Sequence, residues 1–354
     1  MIMQQTVQQK ATSQPLLSIL VPVYNGGEAF IACLSAITRS RSQDWELIVI
    51  DDGSSDRSAQ VAHQFGAKVL STHRPKSGPG VARNLGAQVA QGKYLCFIDA
   101  DCEANLDTLS RLAGVLQNHP ELDAVFGSYD DAPKAANFVA QYKNLLHHYT
   151  HQTGCEDAAT FWAGCGAVKR STFLALGGFD TRRYPRPSIE DIDLGYRIKQ
   201  AGGKILLAKQ VQVKHHKAWN MSSLIKTDLC DRGIPWTRLL LQSRSGLIND
   251  LNLQVSSRLS VVAVYLLLLS GLISFYSTQA VPGIFLAAIA LFILNQDVYR
   301  FFKQKRGTYF ALRAILMHWL YYIYSGLAFL IGNCLHWQEQ LKKDKAVPKT
   351  LFNH

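Results

Sequence analysis

Two unlike patterns of apolar residues divide the chain. Up to about residue 250, short apolar runs alternate with segments whose apolar residues recur with helical spacing. The runs predict strands at 17–23, 46–50, 68–71, 94–98 and 124–127, and the segments between them predict helices at 28–38, 55–65, 80–90 and 106–117. This alternation is typical of an α/β fold, in which a mostly parallel sheet carries helices on both faces.

The second pattern is an uncharged stretch. From residue 259 to residue 296 the chain contains no Asp, Glu, Lys or Arg. One membrane-spanning helix needs about 20 apolar residues, so this length suits two. The break at 277–282, where Pro282 suits a first helical turn, separates predicted helices at 259–276 and 281–296. A buried hairpin of a soluble domain is the alternative interpretation.

A third apolar run and its flanks bear on topology. Residues 314–334 are rich in Trp and Tyr, whose rings favour the membrane interface, and this run either spans the membrane or lies in that interface. The basic loop at 300–306 favours the cytosolic side. The polar segment 1–15 lacks the apolar core of a secretory signal. We therefore expect a multi-pass protein of the cell inner membrane or its equivalent, with the N-terminal domain in the cytosol.

The net charge and the cysteine content indicate which classes of binding partner the protein has. Lys and Arg number 37 against 26 Asp and Glu, a net charge of +11, which suits nucleic acid or an anionic membrane. The chain has no RNA-binding, helix-turn-helix or zinc-finger pattern, so we expect a membrane and no nucleic acid. The seven cysteines show no close ligand spacing, which predicts reduced thiols and no zinc site. The sequence leaves the oligomeric state open, a homo-oligomer included.

These patterns predict five consecutive segments. They are a disordered leader at 1–15, an α/β domain at 16–220, an amphipathic interfacial linker at 221–257, a membrane domain of two to three helices at 258–335 and a basic tail at 336–354.

Paired carboxylates follow two of the predicted strands. Asp99 and Asp101 come directly after strand 94–98, and Asp51 and Asp52 come after strand 46–50. Ligands of parallel sheets lie beyond the carboxyl ends of the strands. Hard divalent ions prefer oxygen ligands and share them with substrate phosphates. We therefore expect a metal and phosphate site at this edge, with solvated loop acids as the alternative.

Several motifs occur together in a recognisable order. They are SILVPVYNG at 18–26, IVIDDGSSD at 48–56, GVARNLG at 80–86, FIDAD at 97–101, GGFD at 177–180 and EDIDL at 190–194. In this order and spacing, over roughly residues 16–218, the chain resembles family 2 glycosyltransferases. The resemblance implies the Rossmann-like GT-A fold, a nucleotide-diphosphate sugar donor, Mg²⁺ or Mn²⁺, and inversion at the anomeric carbon.

The resemblance also implies roles for individual residues. The donor-binding residues would be Val21, Pro22, Tyr24, Asp51, Asp52, Arg83 and Asp99, with the first three around the base, Asp51 or Asp52 at the nucleoside and Arg83 at the phosphates. The metal would be held by Asp99, Asp101 and His215. Helix caps, exposed cations and a structural histidine are the alternative roles for these side chains.

The catalytic base and the acceptor site complete the prediction. An inverting transfer needs a carboxylate that takes the proton of the acceptor hydroxyl, and the resemblance points to Asp191, with Glu190 as the alternative. The acceptor site would be formed by Trp162, Gly164, Arg232 and Trp236. Trp162 either stacks on a sugar or fills the core, and Arg232 and Trp236 line the membrane-facing mouth. The segment RGIPW departs from the QxxRW-like motif of processive relatives, which speaks against processive synthesis.

The predicted activity is the transfer of a sugar, from a UDP-sugar in the first instance, to a lipid-linked acceptor on the cytosolic face, for glycolipid or cell-surface polysaccharide synthesis. A soluble oligosaccharide or protein-linked glycan is the alternative acceptor. A non-catalytic membrane scaffold is the alternative of another class, but it predicts broken acidic motifs. A nucleotidyltransferase would favour a Gly-rich phosphate loop with a Lys near the first strand, which this chain lacks.

Overall fold

The computed structural model describes residues 14–42, 44–72, 74–242 and 253–346, with side chains up to residue 342. Most of the predicted leader and the end of the predicted basic tail therefore lie outside the described residues. The same holds for residues 243–252 of the predicted linker.

Eight strands form one sheet in the described part of the chain. They are β1 Leu17–Val23, β2 Trp45–Asp51, β3 Lys68–Ser71, β4 Tyr94–Ile98, β5 Cys102–Ala104, β6 Ala124–Tyr129, β7 Cys165–Lys169 and β8 Ile205–His215. Their spatial order is β3-β2-β1-β4-β7-β6-β8-β5. The pairings β3·β2, β2·β1, β1·β4 and β6·β8 are parallel, whereas β4·β7, β7·β6 and β8·β5 are antiparallel. The α/β fold is confirmed, but the sheet is mixed rather than mostly parallel, because β7 enters antiparallel between β4 and β6.

Helices cover both faces of this sheet. They are α1 Gly27–Thr38, α2 Ser58–Gln64, α3 Pro79–Val89, α4 Thr108–Asn118, α5 Phe138–Thr153, α6 Arg170–Ala175 and α7 Glu190–Gln200. Side chains alternate along a strand, so Ile19 of β1 joins the core that contains Phe30 of α1, whereas Leu20 joins the core that contains Phe173 of α6. Each fully buried side chain of this size stabilises the fold by about 1.5–3 kcal/mol relative to an exposed one.

The rest of the described chain is helical. It comprises α8 Met221–Lys226, a π-helical turn at Thr227–Gly233, α9 Ile234–Gln242, α10 Val255–Ser274, a 3₁₀ turn at Thr278–Ala280, α11 Val281–Leu294 and α12 Gln296–Ala346. The predicted hairpin is confirmed as α10 and α11. The third apolar run lies inside α12, which is interrupted at Gly307 (φ 82°). By length and composition alone, α10 and the segment Gln296–Lys342 could each cross a membrane.

A buried chain of hydrogen bonds joins these helices to the α/β domain. Tyr142 of α5 shares a hydrogen bond with His318 Nδ1 of α12 (2.9 Å), and His318 Nε2 shares one with the Tyr322 hydroxyl (3.1 Å). Tyr322 donates to Asn295 Oδ1 (2.6 Å), and the Asn295 amide donates to Ser260 Oγ of α10 (2.9 Å). Because buried polar groups are costly when unpaired, this chain fixes how the helices sit on α5.

Candidate active site

The loops after β1 and β2 are fastened to each other and to the loop before α3. Asn25 adopts a left-handed backbone (φ 51°), and its Oδ1 accepts the Ser55 amide (2.7 Å). Asp52 Oδ1 accepts hydrogen bonds from the Thr72 hydroxyl (2.7 Å) and the Ser77 amide (2.9 Å), and Asp52 Oδ2 accepts one from the Gly78 amide (2.8 Å). The Asp52 carboxylate is therefore engaged in holding the loop, which does not fit its predicted role at the nucleoside.

Asp51 is the better candidate of the two. Its Oδ1 accepts the Ser54 amide (3.0 Å), and the part of the chain that the structure describes offers it no second hydrogen-bond donor. Tyr24 is 41% exposed, and Lys76 lies over its ring at 5.3 Å from the centroid. Pro22 is partly exposed. These three side chains stay candidates for binding the nucleoside.

Val21 does not fit the base pocket. Its side chain is fully buried in the core that contains Ile19 and Phe30. The alternation of β1 turns Val21 toward α1, so the prediction that its side chain walls an open pocket is wrong.

Asp99 and Asp101 lie at the end of β4, as predicted. The Asp99 amide donates to the Gly164 carbonyl (3.2 Å), which ties this end to the start of β7. A ligand atom of each carboxylate and the Cys102 sulfur lie within 4.8 Å of one another. Burial raises the pKa of the Cys102 thiol well above its usual range, and a protonated thiol is a poor metal ligand. The two carboxylates, which are both partly exposed, fit a hard divalent ion.

The antiparallel pairing of β5 with β8 brings His215 to this site. Cys102 is the register partner of His215, and His215 Nε2 lies 3.6 Å from Asp101 Oδ2. The ring of His215 stacks on Tyr129, with 4.1 Å between centroids. Burial raises the pKa of Asp101, but hydrogen bonding to His215 and the charges of His215 and Lys217 outweigh it and lower that pKa overall. His215 is therefore placed where it could complete the metal site.

Arg83 is not free to bind donor phosphates. Its Nη2 lies 2.6 Å from Asp99 Oδ1 and its Nη1 lies 3.2 Å from Glu190 Oε1, and its side chain is 5% exposed. The guanidinium is thus a buried clamp between the end of β4 and the start of α7, which corrects the predicted role. The second Glu190 oxygen accepts the Ser188 amide (2.9 Å). With both oxygens occupied and the side chain buried, Glu190 does not fit the alternative role of base.

Breaking this clamp has a predictable effect on stability. Arg83→Gln leaves the buried Glu190 and the partly exposed Asp99 without their cation, so we expect the free energy of unfolding to fall by about 3 kcal/mol. Arg83→Lys should lose less, because one ammonium can pair with one of the two acids. Urea or thermal unfolding of the detergent-solubilised protein measures both. Arg111→Gln, which removes a surface pair with Asp107, should change stability by less than about 1 kcal/mol; equal losses at both positions would contradict the assignment.

Asp191 lies at the first turn of α7 and faces the site. Its Oδ2 accepts the Ala163 amide (3.1 Å), so the loop before β7 orients the carboxylate. Burial, together with the neighbouring charge of Glu190, raises its pKa to about 6, against the opposing effects of the Ala163 amide and the charges of Arg83 and Arg232. A carboxyl with this pKa is mostly ionised at neutral pH and is a stronger base than an ordinary aspartate.

Trp162 and Gly164 form one wall of the site. The Trp162 ring meets Tyr129 edge-on, at 4.8 Å between centroids, and lies 4.9 Å from His147 of α5. A Cβ on Gly164 would fall 2.3 Å from Trp162 Cζ2. Glycine at this position therefore lets the indole lie against the backbone. The sequence analysis did not predict that Tyr129 and His147 line this wall. For His147, the sequence signal was the group of histidines on α5, which share one helix face.

We expect Gly164→Ala to displace the indole. Overpacking of this kind costs about 1–3 kcal/mol of stability, and we also expect a shifted tryptophan fluorescence maximum and a lower turnover. Gly114→Ala on α4, where an added Cβ meets nothing within 4 Å, is the matched control and should be neutral or slightly stabilising. Unchanged fluorescence and turnover at Gly164→Ala would rule out the contact.

Residues 221–242 of the predicted linker pack between the α/β domain and α12. Trp236 of α9 donates to the Tyr196 hydroxyl of α7 (3.0 Å) and packs in a cluster with Tyr184 and Ile189. Trp236 therefore packs against α7, the helix that carries Asp191, and does not line the membrane-facing opening of the site that the sequence predicted. Arg232, on the π-helical turn, has a side chain that is 43% exposed. Its positive charge opposes the rise in the pKa of Asp191.

Comparison with known proteins agrees with this geometry. Residues 18–177 match the model of the glycosyl transferase family 2. The chain is 39% identical over 90 residues to the uncharacterised glycosyltransferase YibD of Escherichia coli strain K12, covering 25% of this chain and 26% of YibD. It is 32% identical over 144 residues to the glycosyltransferase GlyG of Streptococcus pneumoniae serotype 4, covering 40% of this chain and 46% of GlyG. The matches thus span less than half the length of either relative.

A solved structure extends the likeness to most of the fold. The mannosyltransferase PcManGT from Pyrobaculum calidifontis, in complex with GDP-Man and Mn²⁺, matches with a TM-score of 0.55 at 16% identity, over 90% of this chain and 88% of that one. At this identity the likeness concerns the fold.

Proposed function

We propose that the protein transfers a sugar from a nucleotide-diphosphate sugar to an acceptor hydroxyl, with inversion at the anomeric carbon, because residues 18–177 match the model of the glycosyl transferase family 2 and the fold is similar to that of a mannosyltransferase in complex with GDP-Man and Mn²⁺. The observation that carries this proposal is the placement of Asp191. It is held by the Ala163 amide at the start of α7, with a pKa near 6. The adjacent Glu190 is joined through Arg83 to Asp99 of the acidic pair.

The residues divide the reaction between them. Tyr24, Pro22 and Asp51 bind the nucleoside. Asp99 and Asp101, with His215, would hold a Mg²⁺ or Mn²⁺ ion, and such an ion would supply positive charge to the leaving diphosphate. Asp191 takes the proton of the acceptor hydroxyl as the new glycosidic bond forms on the opposite side from the leaving group. Arg83 keeps Asp99 and Glu190 at a fixed separation, so that acid pair and base face one site.

The acceptor and location are part of the same proposal. Two helices, α10 and the apolar segment of α12, are long enough to cross a membrane, and much of the α10 surface is exposed and apolar. A site joined to such helices suits a lipid-linked acceptor. We place the α/β domain on the cytosolic face of the cell inner membrane or its equivalent, in glycolipid or cell-surface polysaccharide synthesis. UDP-sugars are the first donors to test and GDP-sugars the second, because the PcManGT structure contains GDP-Man.

Nucleotide release tests the proposal directly. Protein in nanodiscs is given a panel of nucleotide sugars with Mg²⁺ or Mn²⁺, with and without a lipid extract. We expect release with one donor, stimulated by the lipid. Stimulation only by soluble oligosaccharides would keep the transferase and remove the lipid acceptor. No release with any donor from folded protein would overturn the activity and favour a scaffold that has kept the fold.

A further inference from the structure

A polar cavity lies where the apolar helices meet the α/β domain. Its volume is about 220 Å³. It is enclosed by α5, the start of α10, the junction of α11 with α12, and residues farther along α12. The side chains that line it include Tyr149 and Thr150 of α5, Ser256 of α10, and Asp297 and Tyr321 of α12. None of these residues belongs to the candidate active site, so the cavity is a separate feature of the molecule.

Helix α5 stands between the cavity and the candidate active site. Tyr149, Thr150 and Thr153 line the cavity, and their spacing of three and four residues places them on one face of the helix. His147 lies on another face of α5, and its ring is 4.9 Å from that of Trp162 between centroids. A ligand in the cavity would therefore contact α5 on the side away from the Trp162 wall.

The protein itself uses only some of the polar groups around the cavity. The floor is formed by three buried members of the hydrogen-bonded chain that runs from Tyr142 to Ser260. The walls differ from the floor. Within the described part of the chain, the hydroxyls of Tyr149, Thr150 and Ser256, all half-buried, have no hydrogen-bond partner. These hydroxyls are therefore available to water or to a ligand.

The charge of the lining indicates the class of ligand. Among the described residues that line the cavity there is no Lys or Arg, and the one carboxylate, Asp297, pairs with Arg300 (3.0 Å). A phosphate would find no cation here, and an ammonium group would find only a carboxylate that is already paired. The lining instead offers hydroxyl and amide groups, which donate and accept, and the rings of Tyr149 and Tyr321, whose apolar faces suit the C–H groups of a sugar. This combination suits a neutral polyhydroxyl ligand.

Size and position narrow the ligand further. The volume is about seven times the ~30 Å³ that one water occupies in the liquid, which suits one monosaccharide ring and is too small for a nucleotide. The cavity borders the first turn of α10 and the last residue of α11, where the apolar hairpin joins the rest of the chain. Farther along α10 the apolar side chains of Leu259 and Val262 are exposed. In the proposed membrane orientation, the cavity therefore lies at the height of the lipid head groups.

We infer that this cavity binds the sugar head group of a neutral glycolipid, whose tail lies along the exposed apolar surface of α10. The hydroxyls of Tyr149, Thr150 and Ser256 hydrogen-bond the sugar. The bound lipid joins α5 to α10 and α12 and so stabilises the contact between the α/β domain and the apolar helices. The inference rests on the membrane orientation proposed above, but it does not require the transfer reaction, because no bond of the lipid is made or broken.

Thermal unfolding in nanodiscs tests this inference. The full chain is placed in phosphatidylcholine nanodiscs that are plain, doped with monoglucosyl diacylglycerol, or doped with diacylglycerol alone, and no sugar donor is added. We expect the glycolipid to raise the Tm by about 3–5 °C, the shift for a ligand at roughly ten times its Kd. Diacylglycerol should leave the Tm unchanged. No shift with the glycolipid would mean that the cavity holds only water, and would overturn the inference.

Paired variants locate the sugar. The double variant Tyr149→Phe/Thr150→Val removes two cavity hydroxyls with little change of shape and should abolish the shift. Thr308→Val/Tyr309→Phe removes the same two groups from exposed positions of α12 outside the cavity and should keep it. A shift that survives in the cavity variant would place the sugar elsewhere and overturn the inference. Thr150→Val alone is the milder change and should reduce the shift by about half.

Two further measurements separate the alternatives. Free methyl glucoside replaces the glycolipid in the first, and a shift with the free sugar but none with the glycolipid would overturn the lipid source. The second uses Asp191→Asn with the glycolipid and should show the full shift. A shift that is lost in Asp191→Asn and kept in the cavity variant would place the sugar in the active site instead.

The failure of the proposed transfer would look different. In that case no nucleotide sugar is turned over, while the glycolipid still raises the Tm of the unmodified protein and not that of the cavity variant. Protein that does not enter nanodiscs would contradict the membrane orientation, and the glycolipid assignment with it.

Discussion

Replacing Asp191 with Asn is expected to lower kcat by about 10²–10⁴-fold while nucleotide binding stays within about twofold. Asparagine keeps the shape of the side chain and can still accept the Ala163 amide, but it cannot take the proton of the acceptor. Nucleotide release under saturating donor and acceptor measures kcat, and calorimetry measures donor binding. Asp157→Asn controls for the loss of a negative charge and should leave kcat unchanged. It breaks an exposed ion pair with Lys199, which lies on the same helix as Asp191.

The pH dependence sharpens this test. Because burial and Glu190 raise the pKa of Asp191 to about 6, the folded protein favours the protonated carboxyl below that pH. A protonated carboxyl cannot act as base, so we expect the rate to fall about tenfold per pH unit below pH 6 and to level off above it. The residual rate of the Asn variant should lack this limb. A limb that persists in the variant would assign the titration to another group and contradict the role of Asp191.

Replacing Asp101 with Asn is expected to weaken the apparent Mn²⁺ affinity by at least about 100-fold. Changes in the outer shell of metal sites already cost about 10–100-fold, and this change removes a direct oxygen ligand and the carboxylate beside His215 Nε2. The measurement is the Mn²⁺ dependence of nucleotide binding, with free Mn²⁺ followed by electron paramagnetic resonance. High Mn²⁺ should restore part of the rate.

A nearby acid provides the control for Asp101. Glu103 follows on β5, but its carboxylate pairs with His216 Nε2 (2.8 Å). Glu103→Gln should therefore leave the Mn²⁺ affinity within about twofold. Equal losses at Glu103 and Asp101, or no loss at Asp101, would remove the metal from this end of β4.

The sequence predicted the first half of the sheet well, and the second half poorly. The strands β1 and β4 were predicted with their observed bounds because strands buried on both faces appear as uninterrupted apolar runs. In contrast, β5 is three residues long and contains a Glu, β7 begins with Cys and Gly, and β8 mixes buried, partly exposed and exposed residues over its eleven positions. Such strands resemble loops or edges, so the antiparallel insertion of β7 was not predicted.

The site shows a similar division. Asp99, Asp101, His215 and Asp191 lie at ends of strands and helices, where a motif is enough to place them. The errors at Val21 and Arg83 have another origin. A strand buried on both faces does not reveal from its sequence which side chain faces which core. The partners of Arg83 lie 16 and 107 residues away along the chain. Tyr129 was missed because only the pairing of β6 with β8 brings its ring onto that of His215.

The buried chain from Tyr142 to Ser260 has a mechanical consequence. Hydrogen bonds are directional, so the sequence Tyr142, His318, Tyr322, Asn295 and Ser260 resists both rotation and sliding of α10 and α12 against α5. In the membrane orientation proposed above, this joint holds the catalytic carboxylates at a constant height over the bilayer. In that orientation, an acceptor head group would have to reach the fixed height of Asp191.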